Sequence, residues 1–514
     1  MTAVFVHLPK KEGSLKMKKI LSLILVACMI LTVCGCAQTP ENKPDYTVTA
    51  MTVGQHQITA AELNYFYIDA VNEFVNQNSY FISYLLSVSK PLSQQMENEK
   101  TGRSWAAYFL ESAIDSVKNT YALYDIAKTE NHKLTEEETG YITSLHENME
   151  QYVKYYSYGS IDEYLKKVYG DGADEASYQR YYEILITASS YFSAYAEKLL
   201  NSYDEPALRT FETDKEHKYN SYSYAYHTLA VSEFPSAEDC EAAAKSLAVA
   251  ENGSEAALNS AIAALEKSMN KDTGDKGPST AVAQTDVLYD NVTAALKEWV
   301  SKADRKDGDI TYIKWTSQAA DEATGTTKEV LKGYYVVVFL GKNDNQFQMA
   351  DVRHILAAFK GGTTDPTTGL KVYSDAEKEA AKKTAEKIYQ QWLDGEKTEE
   401  SFAALAKEHT DDGNGAQGGL YTKIFPGQMV KTFNDWCFDP NRQTGDHGIV
   451  VTDFGYHIMF YSGDSGITYR DYMIGLDKQA EDMEKWQDEL FKTVTATTVD
   501  TSLVNMDYII SPAS

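Results

Sequence analysis

The chain has 514 residues but only five cysteines. Three of them, Cys28, Cys34 and Cys36, fall near the N-terminus. Cys240 and Cys437, far apart, are too few for a disulfide framework. Cys437 sits in the aromatic stretch FNDWCF and reads as a small buried hydrophobe. No CxxC, HExxH or GxxxxGK[ST] occurs, so metal and nucleotide sites have no support and no cofactor is expected. Positive charge is scarce: 48 Lys and Arg stand against 75 Asp and Glu, a net charge of -27. Lys10, Lys11, Lys16, Lys18 and Lys19 against Glu12 give the first 36 residues +4, which leaves -31 for the rest. Without basic patches, nucleic acid is excluded as a partner. The acidic body reads as a solvated surface held away from anionic lipid.

Long apolar runs are also missing. The longest, Ile20 to Val33, is shorter than the roughly 20 residues that span a bilayer. It follows Lys18 and Lys19 and precedes VCGC, the layout of a secretory signal. VCGC resembles a bacterial lipobox, in which a small residue, here Gly35, precedes an acylated cysteine. Cys36 is the expected lipid acceptor; Cys34 is disfavoured because Val33 stands where a small residue is wanted. The following AQTPENKPDY reads as a flexible tether, and diacylglyceride attachment would supply stable anchoring.

What remains is long enough for about three domains of roughly 150 residues, and 43% of the chain is hydrophobic. Tyrosine is abundant, at 37 residues, which suggests partly exposed helix packing and shallow binding surfaces. After a short strand–turn–strand, TVTAMTVGQHQIT, residues 37–212 read as a helical domain. Its first helix opens with Thr59 and Glu62 in capping-box spacing.

Residues 213–465 contain an internal repeat. YAYHTLAVS (Tyr224–Ser232) matches DVRHILAAF (Asp351–Phe359), and each is followed by two Ser- or Thr-opened helices. Trp299, Arg305, Gly308 and Asp309 match Trp436, Arg442, Gly445 and Asp446. The copies end in GYYVVVFLGKND and GYHIMFYSGDSG. The expected fold class is therefore α+β: a helical N-terminal domain, two tandem modules at 213–345 and 346–465, and a tail, 466–514, packing back on the helical domain.

In the second module, His354 and His457 lie on its first and last strands inside apolar runs. Neighbouring strands would make them a preorganised polar pair. Between them, Gly413, Gly415, Gly418 and Gly419 mark a shaped loop, followed by Leu420, Met429 and Phe433, which can line a shallow pocket. RHIL, AKEHTDD-G-GAQGGL, PGQMVKTF and GIVVTDFGYHIMF, taken in order, resemble a parvulin-type peptidyl-prolyl isomerase domain. The whole layout resembles extracytoplasmic foldase lipoproteins of the PrsA type, and the doubled module is reminiscent of SurA-like chaperones.

The resemblance implies an α+β isomerase domain without cofactor or metal. It implies His354, His457 and Asp412 as active-site residues, Leu420, Met429 and Phe433 as the proline-ring pocket, and Thr452 as a pocket-side hydroxyl. Phe454 stands where many members have a smaller or polar residue, and LYTKIFPGQM carries one residue more than the common pattern. The implied partners are proline-containing, partly folded secreted polypeptides, with the membrane reached through lipid outside the cytoplasm. The alternative is a non-enzymatic holdase on an inactive parvulin fold. A solute-binding lipoprotein is the third class, and the helical N-terminal half argues against it. The first module keeps His227 but has Tyr335 in place of His457 and no Gly-rich loop, so it reads as an inactive copy.

Overall fold

A computed structural model describes residues 45–249, 253–269, 277–321 and 326–510. The expected signal segment, lipobox and Cys36 lie outside them. No helix among the described residues is long and apolar enough to cross a membrane. The chain forms two compact units. One holds the N-terminal part to Tyr203 together with the residues from Asp477 onward; the other is Asp204–Leu476.

The first unit is mainly helical. Strands β1 (Thr49–Val53) and β2 (His56–Thr59) form a hairpin that turns at Gly54, whose φ of +54° suits glycine. Helices α1 (Ala60–Gln77), α2 (Trp105–Thr129) and α3 (Glu175–Leu200) follow, with shorter helices between them. Thr59 caps α1 by accepting the Glu62 N–H at 3.1 Å. The reciprocal half of the capping box is not made. The Glu62 carboxylate is buried and accepts the Tyr121 hydroxyl instead.

The tyrosines depart from the half-exposed role their abundance suggests. Eight of the twelve largest fully buried side chains are tyrosines, among them Tyr65, Tyr67, Tyr121 and Tyr181. In the helical unit some hydroxyls satisfy a buried acid: Tyr181 donates to Asp69 at 2.6 Å and Tyr169 donates to it at 3.3 Å, whereas the Tyr67 hydroxyl has no hydrogen-bond partner among the described residues. A buried phenol contributes a large apolar area, and Asp69 gives two of these hydroxyls an acceptor.

The second unit carries the repeat. Its first copy comprises β3 (Ser221–Ala230), α4 (Ala237–Leu247), α5 (Glu255–Ser268), β4 (Val282–Leu288), β5 (Ile310–Asp321) and β6 (Thr326–Asn343). The second comprises β7 (Gln348–Ala358), α6 (Asp375–Asp394), α7 (Glu399–His409), β8 (Leu420–Ile424), α8 (Lys431–Cys437), β9 (His447–Thr452) and β10 (Gly455–Thr468). Helix α9 (Tyr469–Thr493) and strand β11 (Ala496–Thr498) close the described chain, and β11 pairs with β1 in the first unit. The two antiparallel sheets have the same strand order, β4-β3-β6-β5 and β8-β7-β10-β9.

The repeated Trp–Arg–Gly–Asp motif is one structural pin made twice. Arg305 lies 3.9 Å over the Trp299 ring and Arg442 lies 3.9 Å over Trp436. Each arginine also donates Nε–H to that tryptophan's carbonyl and pairs with the motif aspartate. The motif backbone then joins the last strand, through Gly308 to Phe339 and Gly445 to Tyr461, both at 2.8 Å.

Register corrects one detail of the repeat. Gly333 pairs with Ala230, and Gly455 pairs with Ala358. Counting from these glycines, Tyr335 corresponds to His457, and Tyr226, not His227, corresponds to His354. One residue of offset turns a side chain to the other face of a sheet. His227 therefore shares the parity of Ala225 and Leu229, which pack beneath the helices. The rings of Tyr226 and Tyr335, 5.7 Å apart, occupy the place of the histidine pair.

Where the repeats adjoin, Arg470 is buried and donates to the Glu212 carboxylate (2.6 Å), Asn220 Oδ1 (2.8 Å), and the carbonyls of Asp344 and Glu216 (both 2.9 Å). Cys240 and Cys437 are buried free thiols, and burial pushes Cys437 up to about 12.

Burial raises the folded-state pKa of Asp69 to about 6, against the Tyr181 and Tyr169 hydrogen bonds, which lower it. Between pH 6 and its ordinary value near 3.8 the folded helical unit holds a proton the unfolded chain lacks, so its stability rises as pH falls through that window. Asp69→Asn removes this slope and stabilises the unit above pH 7 by about 2–3 kcal/mol. Urea melts of the two proteins at pH 8 and pH 4 read the difference; identical curves at pH 8 would refute it.

Candidate active site

The central strand pair of the second module sets the site. His354 on β7 pairs with Met459, and His457 on β10 pairs with Leu356. The two histidines are thus diagonal neighbours on one face of the sheet, where long side chains meet. Their Nδ1 atoms are 3.1 Å apart, and both side chains are at least nine-tenths buried.

The loop after α7 delivers the third polar group. It runs beside β7: the Thr410 hydroxyl accepts the Leu356 N–H at 3.0 Å, Asp411 N–H donates to the Leu356 carbonyl at 2.9 Å, and the Asp411 carboxylate accepts the Ala358 N–H at 3.0 Å. Gly419 then accepts the His354 N–H at 2.8 Å. Gly418 and Gly419 have φ of +66° and +71°, and a Cβ on Gly419 would stand 2.2 Å from the His354 carbonyl oxygen. The close approach requires glycine there. Asp411 is thereby spent on the backbone and on Lys360, 3.0 Å away, while Asp412 turns to the histidine. Its Oδ2 is 2.9 Å from His354 Nε2, an approach off the line of the ring N–H. The Tyr421 hydroxyl bridges both Asp412 oxygens at 3.3 and 3.2 Å.

At the other end, Thr452 Oγ1 lies 2.8 Å from His457 Nε2 and accepts the Phe454 N–H at 3.1 Å. The charges order this chain of contacts. The His354 contact, more than opposing burial, holds the Asp412 carboxyl below its ordinary value, so it is ionised at neutral pH. An anion there calls for the proton on His354 Nε2. His354 Nδ1 then accepts from His457 Nδ1–H, and His457 Nε2 accepts from the Thr452 hydroxyl. Both ring nitrogens of His457 are thus engaged, while His354 Nε2 faces Asp412 without an aligned hydrogen bond. Burial, and secondarily His354, push His457 down to about 4, against the attraction of Asp412.

Apolar groups back the pair. The Phe433 ring meets His354 and His457 edge-on, with centroids 5.4 and 5.5 Å away. Met429 packs half-buried on the same cluster as Phe433, Ile424 and Met459. Phe454, at 60% exposed, stands on the rim. Leu420 is placed otherwise than in the pocket. It pairs with Arg353, whose guanidinium reaches Glu399 on α7, and strand alternation turns it away from Tyr421. Tyr421 is the residue that stacks on His354, with centroids 5.1 Å apart, and burial with the neighbouring Asp412 charge pushes it up to about 12. The pairing with β7 is irregular between Tyr421 and Ile424.

Residues 334–461 match the family model of the PPIC-type PPIASE domain. This stretch is a parvulin-type domain, and the match begins inside β6, ahead of the expected boundary at 346. The Foldase protein PrsA 1 of Listeria innocua is 36% identical over 77 residues, which are 15% of this chain and 25% of that protein. The chain thus matches about a quarter of that relative's length. Among solved structures, PrsA from Bacillus subtilis is 14% identical with a TM-score of 0.24, covering 78% of this chain and 91% of that one. A structure described as SurA-like chaperones of Campylobacter jejuni is 16% identical with a TM-score of 0.16, covering 44% and 78%.

The depressed His457 pKa makes a signed prediction. Between pH 6.5 and 4 the unfolded chain binds a proton on this ring that the folded domain does not, so acid in this window destabilises the second unit. NMR titration of the imidazole C–H signals, assigned with His457→Gln, is expected to show a His457 midpoint near 4. A midpoint at the ordinary 6.5 would contradict a buried, neutral His457.

Proposed function

We propose that the protein is an extracytoplasmic foldase, tethered to a bacterial membrane through a lipid on Cys36, whose second module speeds cis–trans isomerisation of X-Pro bonds in secreted polypeptides. The observation that carries this reading is the buried His354–His457 pair, beside ionised Asp412 at one end and Thr452 at the other, inside a parvulin-type domain. The PrsA relative supports the foldase setting, and the N-terminal signal pattern supports the location.

The chemistry requires no covalent step. Rotation about X-Pro must overcome roughly 18–20 kcal/mol because amide resonance stiffens the C–N bond. Resonance places negative charge on the carbonyl oxygen. An anionic Asp412 near that oxygen disfavours the planar form and so favours the twisted one, in which the charge has moved back to nitrogen. Phe433 and Met429 grip the pyrrolidine ring and exclude water, which strengthens the field. His457, neutral at physiological pH, holds Thr452 in place without adding a cation of its own. Lowering the barrier by about 4–7 kcal/mol corresponds to on the order of 10³ to 10⁵ in rate. Uncatalysed isomerisation takes about 10–100 s, so that gain matters to a folding chain.

A protease-coupled prolyl-peptide assay tests the proposal. His457→Ala and Asp412→Asn should each lower kcat/KM at least about tenfold, or about 1.4 kcal/mol of transition-state stabilisation, with circular dichroism unchanged. Tyr421 favours a second reading, a holdase without turnover, because its ring covers a face of His354. An intact protein that is inactive, and stays inactive as Tyr421→Ala, supports that reading; activity appearing only in Tyr421→Ala identifies the tyrosine as a plug.

A further inference from the structure

A cleft of about 650 Å³ opens in the helical unit, lined by residues of α1, α2, α3 and the C-terminal half of α9. Three properties of its wall are independent of the parvulin domain. Phe74, Phe109, Leu185 and Phe491 make it apolar. Four carboxylates, on Glu73, Asp115, Glu484 and Asp488, face it against the single cation of Lys118. Thr120, Ser189 and Gln487 also line it, each more than nine-tenths buried, and none of their side chains makes a hydrogen bond among the described residues.

Their polar atoms open onto the cleft, where a bound ligand can supply the missing hydrogen bonds. A hydroxyl can donate and accept, and a carboxamide can do both at once. Backbone N–H and C=O groups of an extended chain offer both complements along one line. The aromatic wall suits apolar side chains, and the acidic rim suits a lysine or arginine. Past the end of α1, Tyr80, Phe81 and Tyr84 are exposed at 92%, 65% and 86%. This apolar surface follows directly in sequence from Asn78, which also lines the cleft.

We propose that this cleft is a docking site for an extended polypeptide segment carrying a basic residue among apolar ones, recognised without regard to proline. The assignment deepens the foldase reading, on which it rests, by naming the client chemistry the helical unit selects. The cleft would hold cationic apolar stretches, which are costly to leave exposed in an unfolded chain, while the other unit acts on prolyl bonds.

The test uses the full chain and fluorescein-labelled, proline-free ten-residue peptides of Leu, Phe and Ser. One carries two lysines and the other two glutamates in the same places. Fluorescence anisotropy is expected to show at least about tenfold tighter binding of the lysine peptide, a difference of about 1.4 kcal/mol. Asp115→Asn/Glu484→Gln should abolish that preference, and Lys118→Glu should strengthen lysine-peptide binding, a gain that misfolding cannot produce. Ser189→Leu, which fills the cleft, should weaken both peptides. Prolyl isomerase activity on a short substrate, followed in parallel, should be unchanged in all these variants, so a failure here is separable from a failure of the isomerase reading. Equal affinity for the two peptides, or a preference untouched by the charge variants, overturns the proposal. So does sedimentation showing a second copy of the chain competing with peptide.

Discussion

The candidate site depends on one register. Strands β7 and β10 come from residues about a hundred positions apart, and their antiparallel pairing sets His354 opposite Met459 and His457 opposite Leu356. A slip of one residue would send one imidazole under the helices and break the pair. Apolar alternation holds the register: Ile355, Ile458 and Phe460 pack beneath α6 and α7, while Val352, Met459 and Tyr461 pack on the α8 side. The polar chain from Asp412 to Thr452 is built on a frame that hydrophobic burial has already aligned.

The first repeat shows what that frame does with other residues in it. The same strand order, the same bulge beside the last strand and the same Trp–Arg–Asp pin recur. Yet Tyr226 and Tyr335 stand where the second repeat has imidazoles. The scaffold recurs within the chain, with phenols in one copy where the other has imidazoles. One buried group in each unit answers acid, with opposite signs. Asp69 gives the helical unit a proton-binding group whose pKa burial has raised. His457 gives the second unit one whose pKa burial has lowered. The physical cause is the same in both, removal of a charge from water, and the sign follows from which form is charged.

Much of this could be read in the residues. The α+β class, the internal repeat, the paired Trp–Arg–Gly–Asp motifs and the candidates His354 and His457 follow from periodicity, glycine placement and local motifs, while Asp412 was implied by the resemblance to parvulin-type domains. These are short-range signals. The offset of His227 was not legible, because ungapped matching of YAYHTLAVS to DVRHILAAF ignores strand register. Neither was the exchange of Leu420 for Tyr421, because the pairing of Leu420 with Arg353 and of Tyr421 with Val352, which decides the face each takes, is a contact between distant segments. The tyrosines misled for a related reason. A count cannot say whether a phenol's hydroxyl will meet water or a buried carboxylate.

The sequence by itself determined which segments are helix or strand, that one module is written twice, and which residue types could handle a prolyl amide. Only the tertiary structure decided which of those residues meet. Strand register, the αL turn at Gly418–Gly419 and the burial of Asp69 and His457 arise from contacts between distant segments. Those contacts set side-chain direction and pKa, and no local pattern of residues encodes either.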